Sequence, residues 1–452
     1  MRFAPFALLN RLQSTYWFLP AILTVAAAGL GLGLTALDRS YPDPTSWMGW
    51  AYGGGADGAR ALLSAVAGSI ITVVSVTFSV IVVALTVSSQ HFGPRLLNSF
   101  MRDHGAQLVL GTFTGTFAYC LIVLRTVQGS DGDGYSAFVP HLAVTGAVVL
   151  ALLSVGMLIY YVHHAAVSMQ VSAITAGVAH ELERTITRVY PEHLGEGTDP
   201  PVRQAPPAHP EAFPVHATRS GYVQEIDSAK VLDLAREFDA TIWLIARPGD
   251  FVMESGRLAA AHPRPADPER FENTLTESFV LGTDRTSYQD VGFAVQQLVE
   301  VALRGLSPGV NEPFTAVTCI DHLGQGLSKL ANRRIPSAVR TDTDGTVRVV
   351  AHPLTFEELV EAAFEPIALY ADRNPAIGER LLKTLGMLAG VAHREEDREA
   401  IGRVGSFVWK LTSKQVEEER HKSQLARLHE ELGRALSRPA RTRTEPAVSR
   451  PP

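Results

Sequence analysis

The apolar residues of this chain are unevenly distributed, with long uncharged runs before His163 and most charged residues after Glu181. A helix needs about 20 apolar residues to cross a bilayer, because each residue adds about 1.5 Å across a hydrocarbon layer of about 30 Å. Four runs match this pattern and contain no Asp, Glu, Lys or Arg; they lie at residues 18–37, 62–87, 108–124 and 139–162. The pattern predicts four transmembrane helices. For the third and shortest run, a buried core helix is the alternative.

After the fourth run the hydrophobic period changes. Alternating apolar and polar residues predict strands first, and apolar residues at helical spacing then predict helices. The expected fold class is an α-helical integral membrane protein with four transmembrane helices and a C-terminal α+β cytoplasmic domain. The expected segments are a transmembrane region at 1–165, a helical extension of the last run at 166–190, a Pro/Gly-rich linker at 191–215, a small β-rich unit at 216–285, a mainly helical domain at 286–436 and a disordered tail at 437–452.

The mainly helical domain can be divided further from its pattern. A tight turn at Asp344-Gly345 predicts a β-hairpin between two groups of helices. The helices are expected at about 289–304, 312–332, 356–371, 376–391 and 396–436.

Charged residues beside the apolar runs indicate the orientation of the chain, because short loops rich in Lys and Arg stay on the cytoplasmic side. The loop between the third and fourth runs contains Asp131 and Asp133, although Arg39 and Arg60 reduce the asymmetry. We expect a multi-pass protein of the bacterial inner membrane with both termini in the cytoplasm. The basic residues that favour this orientation are Arg2, Arg11, Arg95 and Arg102.

The composition limits the partners. With 46% hydrophobic and 19% charged residues, the chain is apolar for a soluble protein, which favours a lipid bilayer as a partner. The formal net charge of −6 gives no overall basic character for binding nucleic acid. Cys120 and Cys319 belong to no metal or redox motif and are expected to be reduced packing residues. No cofactor is expected.

The second run carries a stripe of small and hydroxyl residues. Spacings of four, three, four and seven residues place them on one helical face. The stripe has two interpretations: it lets helices approach closely, or it lines a hydrated path in which hydroxyls form hydrogen bonds without the cost of a charge. The residues of this hydroxyl stripe are Gly68, Thr72, Ser75, Ser79 and Thr86.

The third run contains a G-x-x-x-G motif, formed by Gly111 and Gly115. Such a motif lets two helices pack closely, and we expect it to pack against the second run. The absence of ionisable residues from all four runs argues against an ion-coupled pump, which normally needs one, more than against a passive pore.

Histidines near the ends of the runs raise the question of a metal site. They do not form the spacing of a His-x-x-x-His motif with carboxylates. The sequences DGDG at 131–134 and DTDG at 342–345 begin like EF-hand loops, but Leu142 and Pro353 stand where the bidentate Glu is required. No metal site is expected. The histidines concerned are His91, His104, His163 and His164.

The sequence GLSPG at 305–309 contains the G-x-S-x-G pattern of serine hydrolases, which would make Ser307 a nucleophile. In those enzymes a strand precedes the serine, and the backbone N–H after it contributes to the oxyanion hole. Here the preceding residues have helical spacing, and the next residue is Pro308, which has no N–H. We therefore expect a corner between two helices, no catalytic residue and no enzymatic activity.

The corner is explained by the conformational preferences of its residues. Gly305 is expected to end the first helix in the left-handed conformation. Asn311 is expected to cap the second helix, whose first turn accommodates Glu312 and Pro313. Phe314 is expected to begin the buried face of that helix. The residues of the corner are Gly305, Ser307, Pro308, Gly309, Asn311, Glu312 and Pro313.

A combination of motifs resembles a bacterial family of predicted membrane proteins catalogued as domain of unknown function 2254. The motifs are LNRLQSTYWFLP, HFGPRLLNSFMRD, SGYVQ, PGDFV, ALRGLSPGVNEPFTAVTCID and AFEPIALYADRNPAIGERLLKTLG, and they extend to about Leu385. The corner of the family usually reads Asn-Asp-Pro, whereas Glu312 stands here. The resemblance implies a four-span membrane region with a cytoplasmic domain, and it brings no established catalytic residues.

Two functional hypotheses follow. The first is a homo-oligomeric passive channel or permeation pathway for an ion or small solute, lined by the hydroxyl stripe and regulated by the cytoplasmic domain. The alternative is a membrane-anchored sensor or scaffold whose cytoplasmic surface around residues 307–312 binds a partner.

Overall fold

The computed structural model describes residues 17–40, 51–92, 103–129, 138–168, 171–190, 208–342, 344–371 and 374–438. The chain divides into two compact units, Met1–Ala173 and Ile174–Pro452, here called unit 1 and unit 2. The predicted tail at 437–452 and most of the predicted linker at 191–215 lie outside the described residues.

Unit 1 contains four long apolar helices: α1 Phe18–Ser40, α2 Ala56–Phe92, α3 His104–Thr126 and α4 His141–Ser168. As predicted, each is long and apolar enough to cross a membrane. In α3, 50% of the residues in the most apolar 18-residue stretch are buried, compared with 17–22% in the same stretch of the other three helices. The short third run is therefore the central helix, and most residues of the other three helices are exposed or partly exposed.

The G-x-x-x-G motif of α3 packs against α1, and the prediction that it packs against the second run is wrong. A Cβ on Gly111 would lie 2.6 Å from Cδ1 of Leu23 and 3.0 Å from Cα of Pro20, and a Cβ on Gly115 would lie 3.1 Å from Cβ of Ala27. The missing side chains therefore let α1 and α3 approach closely. The motif indicated close packing correctly, but its spacing carries no information about which helix is the partner.

A carboxylate at the end of α1 fixes the start of α4. The Asp38 carboxylate is almost fully buried and accepts hydrogen bonds from the backbone N–H groups of Leu142 at 2.9 Å and Ala143 at 3.0 Å. The Tyr119 hydroxyl of α3 donates to the Ala143 carbonyl at 2.7 Å. These bonds satisfy two N–H groups that a helix leaves free at its start. The predicted first run ended at residue 37 and therefore missed this side chain.

Unit 2 combines two small sheets with helices. Its strands are β1 Phe213–His216, β2 Gly221–Ile226, β3 Thr241–Leu244, β4 Phe251–Val252, β5 Arg257–His262, β6 Phe279–Gly282, β7 Val339–Thr341 and β8 Val347–Val350. The sheets have the orders β1–β5–β3–β8–β7 and β4–β2–β6. All neighbouring strands are antiparallel except β3 and β8, which are parallel. The predicted hairpin β7–β8 thus joins the sheet that contains β3 and β5.

The helices of unit 2 are α5 Val171–Val189, which crosses the boundary between the units, α6 Ser228–Glu237, α7 Pro268–Thr276, α8 Val291–Gly305, α9 Pro313–Ala331, α10 Phe356–Leu369, α11 Pro375–Val391, α12 Glu395–Gln415 and α13 Glu419–Ser437. The single helix predicted at 396–436 is wrong, because α12 ends at Gln415 and α13 begins at Glu419. Both helices pack against α11 as well as against each other. The chain therefore has to reverse between them, at a point where the sequence contains neither Gly nor Pro.

Helices α5 and α9 run in the same direction. The Glu183 carboxylate of α5 accepts hydrogen bonds from Gln325 at 2.7 Å and from Lys329 at 2.6 Å, both on α9. Further along both helices, Arg333 donates to the Tyr190 carbonyl at 2.7 Å. Residue numbers rise together on the two sides, so the first residues of α5 and α9 lie at the same end of unit 2.

Helix α11 also runs parallel to α9. Asp321 of α9 forms an ion pair with Arg380 of α11, and the Asn332 side chain just after α9 lies 3.2 Å from Nε2 of His393 just after α11. The offset between the paired residues is nearly constant, at 59 and 61 positions. The first residues of α9 and α11 therefore lie at the same end of unit 2.

We predict that Gly111→Ala destabilises unit 1. The added Cβ overlaps Leu23 and the Pro20 backbone, so α1 and α3 must move apart, which should cost about 1–3 kcal/mol. Gly156→Ala on α4 is the matched control, because a Cβ at Gly156 meets nothing within 4 Å, so this change should keep or raise stability, by up to about 1 kcal/mol. Loss of helical circular dichroism during denaturation of the full chain in detergent micelles measures both, and equal stabilities would contradict the assigned packing.

Candidate functional site

The hydroxyl stripe of α2 lies on the side of the helix that unit 1 leaves uncovered. All five of its residues are exposed, whereas Leu63, Ile70 and Thr77 of the same helix are buried. At about 100° per residue, the middle of the stripe stands opposite these buried residues. Within the described part of the chain, the stripe therefore does not pack against α3 or α4.

The hydroxyl groups of the stripe satisfy their own donors. Thr72 donates to the Gly68 carbonyl at 3.1 Å, and Ser75 donates to the Ile71 carbonyl at 3.0 Å. Ser79 donates to the Ser75 carbonyl at 2.9 Å, and Thr86 donates to the Val82 carbonyl at 2.8 Å. A hydroxyl oxygen that has donated its proton still has lone pairs. The stripe thus presents hydrogen-bond acceptors to its surroundings and no charge.

Hydroxyl groups between helices of unit 1 behave differently. Thr24 of α1 lies 2.8 Å from Thr114 of α3, measured between hydroxyl oxygens, and Thr116 of α3 lies 3.1 Å from Ser154 of α4. These pairs join helices, the first across a partly buried contact and the second across a buried one. The described partners of the stripe hydroxyls are carbonyls of their own helix.

One of the histidines near the ends of the runs, His164, pairs with Asp103 at the start of α3. Nε2 of His164 lies 2.8 Å from the Asp103 carboxylate, and the His164 ring stacks on Tyr160 with 5.4 Å between ring centroids. Asp103 also accepts from the Gly105 N–H at 2.9 Å and so caps α3. The side chain of His91 lies outside the described residues. Across the parts of the chain that are described, no three or more His, Cys, Asp or Glu side chains form a group that could hold a metal ion.

Ser307 lies where the sequence placed it, in a turn after a helix. The preceding element is α8, a helix and not the strand of a nucleophile elbow. The Ser307 hydroxyl donates to the Arg304 carbonyl at 2.7 Å, so its proton is used by the end of α8. The hypothesis that the chain is not an enzyme stays a prediction.

The backbone of the corner differs from the prediction at two residues. Gly305 is not left-handed; the left-handed residue is Asn311, with φ of +50°. Glu312, not Asn311, occupies the N-cap position of α9, and its side chain makes no capping hydrogen bond. The Glu312 N–H donates to the Gly305 carbonyl at 2.7 Å, so the backbone segments on the two sides of the turn lie close together. A Cβ on Gly305 would lie 3.1 Å from the Glu312 carbonyl oxygen. Gly305 is therefore required for close approach, and Asn tolerates the left-handed position.

Phe314 is 84% exposed, so its predicted place on the buried face of α9 is wrong. The buried face is centred on Ala316, Ile320, Leu323 and Leu327. At about 100° per residue, Phe314 stands about 160° from this face. Phe314 was assigned to the buried face because it is apolar. Its angle around the helix places it on the opposite, exposed face.

A polar junction in unit 2 has no counterpart in the sequence prediction. Asp290 is buried, lies 2.7 Å from Arg285 and accepts from the Phe293 N–H at 2.9 Å, which caps α8. Arg285 also donates to Gln296 at 2.7 Å. Burial raises the pKa of the Asp290 carboxyl, and the charge of Arg285 opposes this effect. The only sequence signal was an Asp directly before an apolar helical pattern.

The Asp290 carboxylate also fills the space beside Gly249. Gly249 has φ of +97°, and a Cβ there would overlap the Asp290 carboxylate. The junction thus joins the turn before β4 to the start of α8. Asp290 and Arg285 have their described hydrogen-bond partners inside the junction, which therefore stabilises the fold.

The structure therefore defines a two-part protein, with four helices able to cross a membrane and a mixed unit of sheets and helices. Residues 13–387 match the family described as "Predicted membrane protein (DUF2254)", and the chain belongs to this family. The chain is 33% identical over 387 residues to the uncharacterized protein Mb1321c of Mycobacterium bovis and to the uncharacterized protein Rv1290c of Mycobacterium tuberculosis. These alignments cover 85% of this chain and 73% of each relative. No solved structure matches the chain.

We predict that Gly249→Ala destabilises unit 2 more than Gly345→Ala. Both glycines have positive φ, +97° and +83°, which costs an L-residue about 1–2 kcal/mol. A Cβ at Gly345 meets nothing within 4 Å, whereas a Cβ at Gly249 must displace Asp290 from its place beside Arg285, which should add about 1–3 kcal/mol.

Near-ultraviolet circular dichroism of the full chain, followed during urea unfolding in detergent, reports the free energy of unfolding of the two variants. Gly345→Ala serves as the control for backbone strain alone. Equal losses in the two variants would show that the junction does not restrict Gly249.

Proposed function

We propose that the protein is a multi-pass protein of the bacterial inner membrane, with both termini and unit 2 in the cytoplasm. The exposed apolar surface of unit 1 supports insertion, because side chains such as Val25 at 73%, Leu152 at 68% and Ile159 at 69% exposure need an apolar environment. The basic residues in the sequence support the orientation through the asymmetry of the loops.

Within this membrane setting, the proposed activity is a passive pathway for ions or small solutes, lined by the hydroxyl stripe. The observation that carries it is the direction of the stripe: its five small or hydroxyl residues face away from their own helical bundle, and four of them present acceptor oxygens. One helix cannot enclose a path. Two or more copies would have to place their α2 helices around a common axis, which makes a homo-oligomer part of the proposal.

The chemistry of the stripe favours passive passage. Hydroxyl oxygens replace part of the hydration of a solute without the cost of holding a charge in hydrocarbon. The four apolar runs contain no Asp, Glu, Lys or Arg to couple transport to protons or ions. Unit 2, joined directly to the last span through α5, would regulate the pathway.

The same stripe would also suit plain packing between copies, because small residues let helices approach closely. Packing and permeation differ in one respect that can be measured. A stripe that lines a path is reached by water, whereas a stripe that is packed between helices is not.

We predict that Ser75→Leu and Ser79→Leu each reduce flux severalfold in liposomes that contain the purified full chain. Each change replaces an acceptor oxygen by a larger apolar group in the path. Val76→Leu is the matched control, because Val76 is 58% exposed on the same helix but lies off the stripe. Release of trapped potassium and of small neutral solutes measures the flux at equal protein content.

A second measurement separates the path from packing. In the bilayer, Ser79→Cys should react with a charged, water-soluble thiol reagent and lose flux, whereas Val76→Cys should not react. Vesicles that stay impermeable with the unaltered protein under all conditions would contradict the pathway, and an unreactive Ser79→Cys in cross-linked oligomers would favour packing.

The sensor or scaffold hypothesis stays a prediction. This hypothesis needs a partner that binds the cytoplasmic unit, and it does not require water to reach the hydroxyl stripe. A dry stripe with impermeable vesicles would leave it as the better hypothesis.

A further inference from the structure

The hydroxyl stripe of α2 presents acceptor lone pairs and keeps its protons. Each of its four hydroxyl groups donates to a carbonyl of its own helix, at 2.8–3.1 Å. A hydroxyl group has one proton to donate and two lone pairs, so these groups have only lone pairs left for their surroundings. A cation binds lone pairs, whereas an anion needs a hydrogen-bond donor. The hydrogen bonds of the stripe therefore favour cations over anions.

The face of α2 that carries the stripe begins with a carboxylate. Asp57 lies in the first turn of α2, and its side chain is fully exposed. At about 100° and 1.5 Å per residue, Asp57 lies within about 30° of the middle of the stripe and about 16 Å before Gly68. Residues 61–90 contain no Asp, Glu, Lys, Arg or His. Along this face, a negative charge is thus followed by uncharged oxygens.

The basic residue closest to Asp57 on α2 is Arg60, which lies about 90° from the middle of the stripe. Its guanidinium is 3.7 Å from the Asp57 carboxylate and also donates to the Val127 carbonyl after α3 at 3.3 Å. An exposed ion pair of this kind is weak, because water screens the two charges. Asp57 therefore still attracts cations to the start of the face.

The lack of carboxylates within residues 61–90 also indicates the charge of the cation. Magnesium ions release their water reluctantly, and calcium ions are bound largely through carboxylates. Uncharged oxygens can replace part of the hydration shell of a monovalent cation. The stripe therefore suits monovalent cations better than divalent ones.

We propose that the pathway selects monovalent cations, and that the hydroxyl oxygens of the stripe, together with Asp57, set the preference over anions. The inference rests on the proposed pathway and names the class of ion that passes through it. An anion could be bound only by hydroxyl groups that give up their hydrogen bonds to the backbone of α2, which opposes its entry.

The test measures the current through planar bilayers of uncharged lipid that contain the purified full chain. A concentrated solution of potassium chloride on one side and a dilute one on the other give a reversal potential, whose sign shows whether potassium or chloride carries the current. We expect the permeability of potassium to exceed that of chloride severalfold. Replacement of potassium by calcium or magnesium should lower the cation current severalfold.

Thr72→Val tests the role of the oxygens, because it removes one acceptor and keeps the size of the side chain. It should lower the ratio of potassium to chloride permeability severalfold, since every copy around the pathway loses the same oxygen. Val76→Thr is the matched control. It makes the reverse change at a residue that is 58% exposed and lies about 70° from the middle of the stripe, so the ratio should not change.

Asp57→Asn tests the role of the carboxylate, because it removes the charge and keeps the shape of the side chain. The permeability ratio should fall at low ionic strength. At high ionic strength it should equal that of the unaltered protein, because salt screens exposed charges.

The possible failures can be told apart. Bilayers that carry no current with the unaltered protein would overturn the pathway and this inference together. A current carried equally by chloride and potassium, or mainly by chloride, would leave the pathway standing and overturn the inference. An unchanged ratio in Thr72→Val would show that the hydroxyl oxygens do not set the selectivity. An unchanged ratio in Asp57→Asn at low ionic strength would overturn the role of the carboxylate.

Discussion

The need of polar groups for partners inside an apolar helical bundle is the constraint on which the structure of unit 1 depends. A helix leaves backbone N–H groups unpaired at its start, and an apolar interior offers them no hydrogen-bond acceptor. Asp38 meets this need for α4 from the end of α1, and Tyr119 of α3 binds the carbonyl of the same residue, Ala143. Three helices are thereby joined at one point, and hydroxyl pairs, one partly buried and one buried, connect them elsewhere.

Because these needs are met within the bundle, the hydroxyl stripe of α2 has no structural task there. Its hydroxyl groups bond to their own helix and face outward. The described hydrogen bonds of these hydroxyls link no two helices of the chain. The stripe is therefore free to face another copy of the chain, which is the physical basis for the proposed pathway between copies.

The corner of unit 2 follows the same logic. Its shape is fixed by backbone hydrogen bonds, including the one from Glu312 to Gly305, and by the hydroxyl of Ser307 at the end of α8. The side chains that project from it, Phe314 above all, are not needed to build the turn. The residues whose pattern resembles that of a catalytic serine thus form a turn from which exposed apolar side chains project.

Sequence alone determined the features that depend on local spacing. Runs of apolar residues predicted the four long helices, helical periodicity gave α8–α11, and Asp344-Gly345 gave the hairpin β7–β8. The hydroxyl stripe and the corner were also found from residue type and spacing, because each is a short contiguous pattern.

Tertiary structure decided which face meets which partner. Periodicity shows which residues share a face of a helix. The segment that packs against this face comes from a distant part of the chain. Gly111 therefore packs against α1 and not against the second run, and the hydroxyl stripe is exposed. The contact between Asp290 and Gly249 also joins distant parts of the chain. The segment predicted as one helix forms two helices, α12 and α13, which both pack against α11. The contacts between distant segments carry no local sequence signal, so only the folded chain could reveal them.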